Sequence, residues 1–174
     1  MDEVTRVTRV TTAVAVTGHT DLAEASVPLV RVALYEALER LAPEGGVRGL
    51  SCLADGADSL FAEAVLAAGG RLTAVVPARD YRRVKVRPAH AARFDRLLAA
   101  ADEVVVLDRD TADRAAYEAA NTVLLARADL LLAVWDGRPG TPGRPGGTAD
   151  AVAAARAAGV PVEVLWPVGA ARRG

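Results

Sequence analysis

The chain has 174 residues, 52% hydrophobic and 25% charged, with a net charge of −1. That length holds one compact domain of ordinary size, residues 1–174 with a core at about 12–167, and the apolar fraction excludes a disordered chain. The near-neutral balance excludes a surface that binds polyanions all over, and Cys52, the one cysteine, excludes an internal disulfide framework or a multi-cysteine zinc site.

Thirty-eight alanines, and Lys85 as the single lysine among 21 cationic residues, mark the composition without implying a function. No stretch approaches the roughly 18 apolar residues of a membrane span; the most apolar run, Leu130–Trp135, has six. Residues Met1–Arg9 alternate Val, Thr and charge, and lack the apolar centre of a signal peptide. A cytoplasmic protein with no membrane contact is expected.

Two patterns alternate along the chain. Apolar or β-branched runs predict strands at Thr12–Thr17, Val47–Cys52, Leu72–Val76, Val104–Leu107, Leu130–Trp135 and Val162–Trp166. Between them, Ala-, Leu- and Arg-rich stretches with helical spacing predict helices at Ser26–Leu41, Ser59–Ala68, Ala91–Ala101, Ala112–Ala128 and Thr148–Ala158. Pro43, Gly69-Gly70 and Gly159 close three of these helices. Strands apolar on both faces, in strict turn with helices, predict an α/β, Rossmann-like three-layer sandwich with a mostly parallel central sheet. The sequence does not place the Val104–Leu107 strand within that sheet.

Ligands of such folds bind at the carboxyl ends of the strands. The loop after the first strand reads Gly18-His19-Thr20-Asp21, and the loop after the second reads Asp55-Gly56-Ala57-Asp58. After the fifth strand, Asp136 leads through a Pro/Gly-rich run to Pro145-Gly146-Gly147-Thr148 at a helix start. Glycines there let backbone N–H groups approach an anion, and Thr148 could add a hydroxyl or cap the helix. The competing reading is a plain Gly-Gly turn. Neither a Walker A sequence nor a G-x-G-x-x-G fingerprint occurs.

In the first loop, Gly18 would allow close backbone approach and His19 could donate to a ligand oxygen; the alternative is a helix entry capped by Thr20 or Asp21. In the second, Gly56 could lie under a sugar and Asp58 could cap the helix from Ser59. No metal ligands cluster near these carboxylates, so no metal site is expected, and no cofactor is implied. Arg79–Arg96 carries six Arg and one Lys against Asp80 and Asp95; a phosphate-facing patch competes with a solvated helix face, the favoured reading. His90 reads as a surface or helix-start residue and Cys52 as a buried strand residue. Trp135 and Trp166 could flank a base, though packing is the stronger reading.

In their order, Val16–Leu22, Ala54–Asp58, Pro77 with Tyr81, Ala128-Asp129-Leu130, Val134–Gly137, Gly146–Asp150 and Gly159–Val162 resemble the SLOG superfamily. That group comprises LOG phosphoribohydrolases, nucleotide-sensing SLOG domains and the DprA fold. The resemblance spans residues 12–167. It implies a nucleotide or nucleotide-derived ligand, with Asn121 as a polar residue facing the site and a homo-oligomer paired through helices such as Ala151–Ala158. Phosphate would sit on Gly146–Thr148, Gly18 and His19 would line the floor, and Asp55, Gly56 and Asp58 would meet ribose. LOG enzymes carry P-G-G-x-G-T-x-x-E and an arginine on the preceding helix. Here the loop is shortened, Asp150 is the nearby acid, and Ala115–Asn121 holds no arginine. A ligand sensor is therefore the leading expectation. The alternative is a hydrolase or transferase acting on the N-glycosidic bond of a nucleoside monophosphate, with Asp150, Asp136 or Glu118 as the reacting acid. A DprA-like strand binder using Arg79–Arg96 has few stacking aromatics beyond Tyr81 and Phe94, and nucleic acid is the least expected partner.

Overall fold

A computed structural model describes residues 11–43, 46–140, 142 and 147–174. Its strands are β1 (Thr12–Gly18), β2 (Val47–Ser51), β3 (Arg71–Val76), β4 (Glu103–Val106), β5 (Leu130–Val134) and β6 (Val162–Leu165). The helices are α1 (Val27–Leu41), α2 (Ala57–Ala67), α3 (Tyr81–Val84), α4 (Pro88–Ala100), α5 (Arg114–Arg127) and α6 (Thr148–Ala157). The strands form one sheet in the order β4-β3-β2-β1-β5-β6, and every pairing between them is parallel.

The sheet is covered on both faces because successive strand residues point to opposite sides. Val14 and Val16 of β1, with Leu132 and Val134 of β5, pack under α1 and α2. Leu72, Ala74 and Val76 of β3 continue that side beneath Phe94 and Leu97 of α4. Ala15, Leu50, Val75 and Leu131 point the other way, onto Ala120 and Leu124 of α5 and Ala155 of α6. The edge strand β4 is largely exposed, with Val104 and Val106 open to solvent. Its place beside β3 settles the strand that the sequence left unplaced.

Small residues set the layer spacing. Ala151 and Ala155 of α6 are buried, so part of this alanine-rich helix serves close approach to the sheet rather than a helix pair. Ala153, Ala154 and Ala157 face outward. Among the described residues no helix is long and apolar enough to cross a membrane.

Candidate functional site

In the sheet, β1 lies between β2 and β5, and the helices after β1 and β2 cover one face while α5 and α6 cover the other. This reversal opens a crevice at the carboxyl ends of β1 and β5. A groove of about 1350 Å³ occupies it, walled by the loops after β1 and β2, the α3–α4 region, α5 and the first turn of α6.

Of the residues singled out in the sequence, Gly18, Asp55, Asp58, Asn121, Gly147, Thr148 and Asp150 line this groove. His19, Gly56 and Asp136 stand behind it as support. Gly146 lies outside the described residues.

The first two loops lock together. The Ala57 amide donates to the His19 carbonyl at 3.2 Å. Gly56, with φ +80°, crosses so close that a Cβ there would lie 2.6 Å from that carbonyl oxygen, which only glycine tolerates. Gly56 is therefore required by the crossing of the two loops. α2 starts at Ala57 with Gly56 as its cap. Asp58 is thus not the expected helix cap: it sits inside the first turn and accepts from the Ala54 amide at 3.4 Å. Burial pushes the Asp58 carboxyl up to about 7. Burial, with Asp58 nearby, likewise raises the Cys52 thiol, keeping it protonated. Burial raises the Tyr81 hydroxyl too. Of these three groups at the floor of the groove, Asp58 is the one that would be ionised in water at neutral pH, and burial favours its protonated form.

The second loop contains a left-handed residue, Leu53, with φ +56°. Its conformation is held on both sides. The Leu53 amide donates to Ser51 Oγ at 3.0 Å, and His90 Nε2 lies 3.0 Å from the Leu53 carbonyl, placed to donate to it. His90 is thus buried inside α4's first turn rather than on the surface, because its imidazole fits between this carbonyl and Phe94. Arg87 pairs with Asp55 at 3.1 Å and holds the loop from the same side. His90 stands on the same helical stripe as Phe94 and Leu97, a period that could have marked it as buried, but its polar partner Leu53 lies too far away in sequence to be read there.

Behind the β1 and β5 ends lies a second network. His19 Nε2 is 3.2 Å from the Asp136 amide nitrogen and accepts its N–H. Trp166 presents its edge to the imidazole at 5.6 Å, so this tryptophan packs on a histidine rather than flanking a ligand. Burial, then the Arg172 charge, lowers His19 below its ordinary range, leaving it neutral at pH 7. Arg172 donates through Nε to both Asp21 oxygens, at 3.0 and 3.1 Å, and reaches Asp136 at 3.7 Å. These contacts outweigh burial and hold Asp21 below its ordinary range; the Arg138 amide, which donates to the Asp136 carboxylate, and the Arg172 charge outweigh burial for Asp136 in the same way. The helix entry expected at Thr20 or Asp21 instead forms a single 3-10 turn, Glu24–Ser26, without a side-chain cap.

On the opposite wall, α6 begins at Thr148 with Gly147 as its cap, at φ +100°. Thr148 is thus the first helical residue and not the expected cap. Among the described residues, a Cβ on Gly147 would meet nothing within 4 Å.

The basic stretch is largely self-neutralised. Arg79 pairs with Asp108 and Asp110, Arg82 with Asp95, Arg87 with Asp55, and Arg93 and Arg96 with Glu63. Arg83 alone of its six arginines makes no ion pair among the described residues. Among the described residues no group of three His, Cys, Asp or Glu could hold a metal ion.

The architecture and the placement of the groove define a Rossmann-like domain with its ligand crevice at the switch point. Solved structures share it: a single-stranded-DNA-binding DNA processing protein A from Helicobacter pylori (15% identity, TM-score 0.62, covering 92% of this chain and 68% of that one). The molybdenum cofactor carrier protein of Chlamydomonas reinhardtii is similar too (22%, 0.56, 90% and 76%), as is the molybdenum cofactor binding protein of Rippkaea orientalis (18%, 0.54, 89% and 76%). The likeness to these structures is one of fold. No family model and no curated protein sequence matches the chain.

Proposed function

We propose that the groove binds a nucleotide or nucleotide derivative as a ligand-sensing site, with phosphate on the Gly147–Thr148 turn and the sugar toward Asp55, Asp58 and Asn121. The observation that carries this reading is the open glycine-capped start of α6 in the wall of a groove at the switch point. Helix-start amides favour an anion, and glycine leaves them accessible. A proton on Asp58 lets it donate to a ribose hydroxyl instead of repelling a phosphate. The volume exceeds the roughly 300–1,000 Å³ of common small-molecule pockets, so a ligand larger than a monophosphate also fits. Ion pairing within Arg79–Arg96 favours a small ligand over a nucleic-acid strand. The experiment is thermal denaturation with a panel of nucleosides, nucleoside monophosphates and diphosphates. Stabilisation by the phosphorylated members over the matching nucleosides supports the reading; equal shifts, or none, remove it.

A homo-oligomer is proposed on the resemblance and on the outward alanines of α6. Light scattering tests it against the 18.0 kDa of one chain.

A further inference from the structure

Residues 168–174 follow the last strand and carry no apolar period, yet they return to the groove. Leu22 pairs antiparallel with Arg172. The Ala23 amide donates to the Ala171 carbonyl at 2.9 Å, and the Arg173 amide to the Asp21 carbonyl at 2.7 Å. Ser26 Oγ accepts from the Ala171 amide at 2.8 Å and donates to its carbonyl at 3.1 Å. The two arginines then divide their tasks. Arg172 is spent on Asp21 and Asp136. Arg173 lines the groove.

The cations in the groove wall are Lys85, Arg87, Arg114 and Arg173. Arg87 is paired with Asp55, and Arg114 with Glu118 at 2.7 Å. Arg173 donates Nε–H to the Leu22 carbonyl at 3.1 Å and makes no ion pair among the described residues. Its other four N–H groups form a fixed fork suited to a phosphate. Lys85 also makes no ion pair among the described residues, but no hydrogen bond orients its ammonium there. Arg173 is thus the groove cation that is both anchored and uncommitted.

We propose that Ala170–Gly174 is a strap completing the groove, that Arg173 receives the phosphate of the bound nucleotide, and that Arg172 is the residue positioning it. The inference rests on the reading of the groove as a nucleotide site. It adds a specificity determinant from a segment outside the motif-bearing region. Arg172 fixes the strap by joining Asp21, in the loop after β1, to Asp136, after β5, so the segment is registered against both ends of the crevice.

The test is calorimetric titration of the full chain with the four common ribonucleoside monophosphates and the matching nucleosides, at low and high salt. Arg173→Gln is expected to weaken the phosphorylated ligands at least tenfold at low salt, with nucleoside affinity and melting temperature unchanged. High salt should shrink that difference. Arg172→Gln is expected to lose the same phosphate preference, and Arg172→Lys to restore part of it. Should Arg172→Gln fail to fold, Arg173→Gln still decides. A wild type that prefers phosphorylated ligands, with Arg173→Gln keeping that preference, overturns the strap while leaving the groove reading intact. A wild type with no preference for phosphate overturns both.

Discussion

Gly18 and Ala57 meet at the carboxyl edge of the sheet: a Cβ on Gly18 would lie 2.4 Å from the Cβ of Ala57. It would also lie 2.8 Å from the Cβ of Val134. The end of β1 is therefore wedged between the start of α2 and the end of β5, and the missing side chain fixes the floor of the crevice. Gly18→Ala should destabilise the fold by about 1–3 kcal/mol through overpacking. Adding Ala57→Gly should return part of the loss, since Val134 remains in the way. Urea midpoints of the two variants check this; a Gly18→Ala midpoint equal to wild type contradicts the packing argument.

Asp58 gives the stability a dependence on pH opposite to that of most carboxylates. Its ordinary value is 3.8, and in the fold it stands at about 7. Between those values the native state keeps a proton that the unfolded chain has released, so stability falls as pH rises through this window. The full contribution is present only below the lower value. Asp58→Asn should remove the effect and be more stable than wild type above pH 7, by at most about 4 kcal/mol. His19, lowered in the fold, works in the other direction below 6.5, where acid costs stability. Comparing Asp58→Asn with wild type in the same buffers cancels that contribution. Parallel stability curves from pH 5 to pH 8 would contradict the buried, protonated carboxyl.

The layers of this fold were legible because β1, β3 and β5 are apolar on both faces, a pattern that parallel sheets covered on two sides produce. The edge position of β4 was not, since Val104–Leu107 reads as apolar as the central strands although Val104 and Val106 are exposed. The Gly147 turn and the acidic second loop were visible as Gly and Asp at strand-to-helix junctions. The roles of His90 and the strap were invisible for a common reason. His90 acts on Leu53, 37 residues away, and Arg172 on Asp21, 151 residues away. Such long-range polar pairs leave no periodic trace.

Gly147 tests the anion turn, with one structural complication. At φ +100° any side chain is strained, so a substitution there lowers stability whatever its charge. Gly147→Asp and Gly147→Asn carry similar shape and strain but differ in charge at the start of α6. Both should weaken phosphorylated ligands by blocking the backbone. Gly147→Asp should weaken them roughly tenfold more, about 1.4 kcal/mol. Titration of the two variants reads the difference directly. Equal affinities would place the phosphate away from this helix start.

Asp150 separates a sensor from a hydrolase. It lines the groove in the first turn of α6, and Asp58, with its value near 7, is a second acid at the floor. Cleaving an N-glycosidic bond requires a group to protonate the base or attack the sugar, so these two would have to share that work. Glu118, a further acid in the groove wall, is paired with Arg114 on α5, and Ala115–Asn121 carries no arginine to assist such chemistry. Incubated with the nucleoside monophosphates, the wild type should release no free base detectable by chromatography. Asp150→Asn should bind the same ligands within about threefold of wild type, less than 1 kcal/mol. Release of base by the wild type, abolished in Asp150→Asn or in Asp58→Asn, would make the protein an N-glycosidic hydrolase and assign the missing role to the carboxylate whose loss stops it.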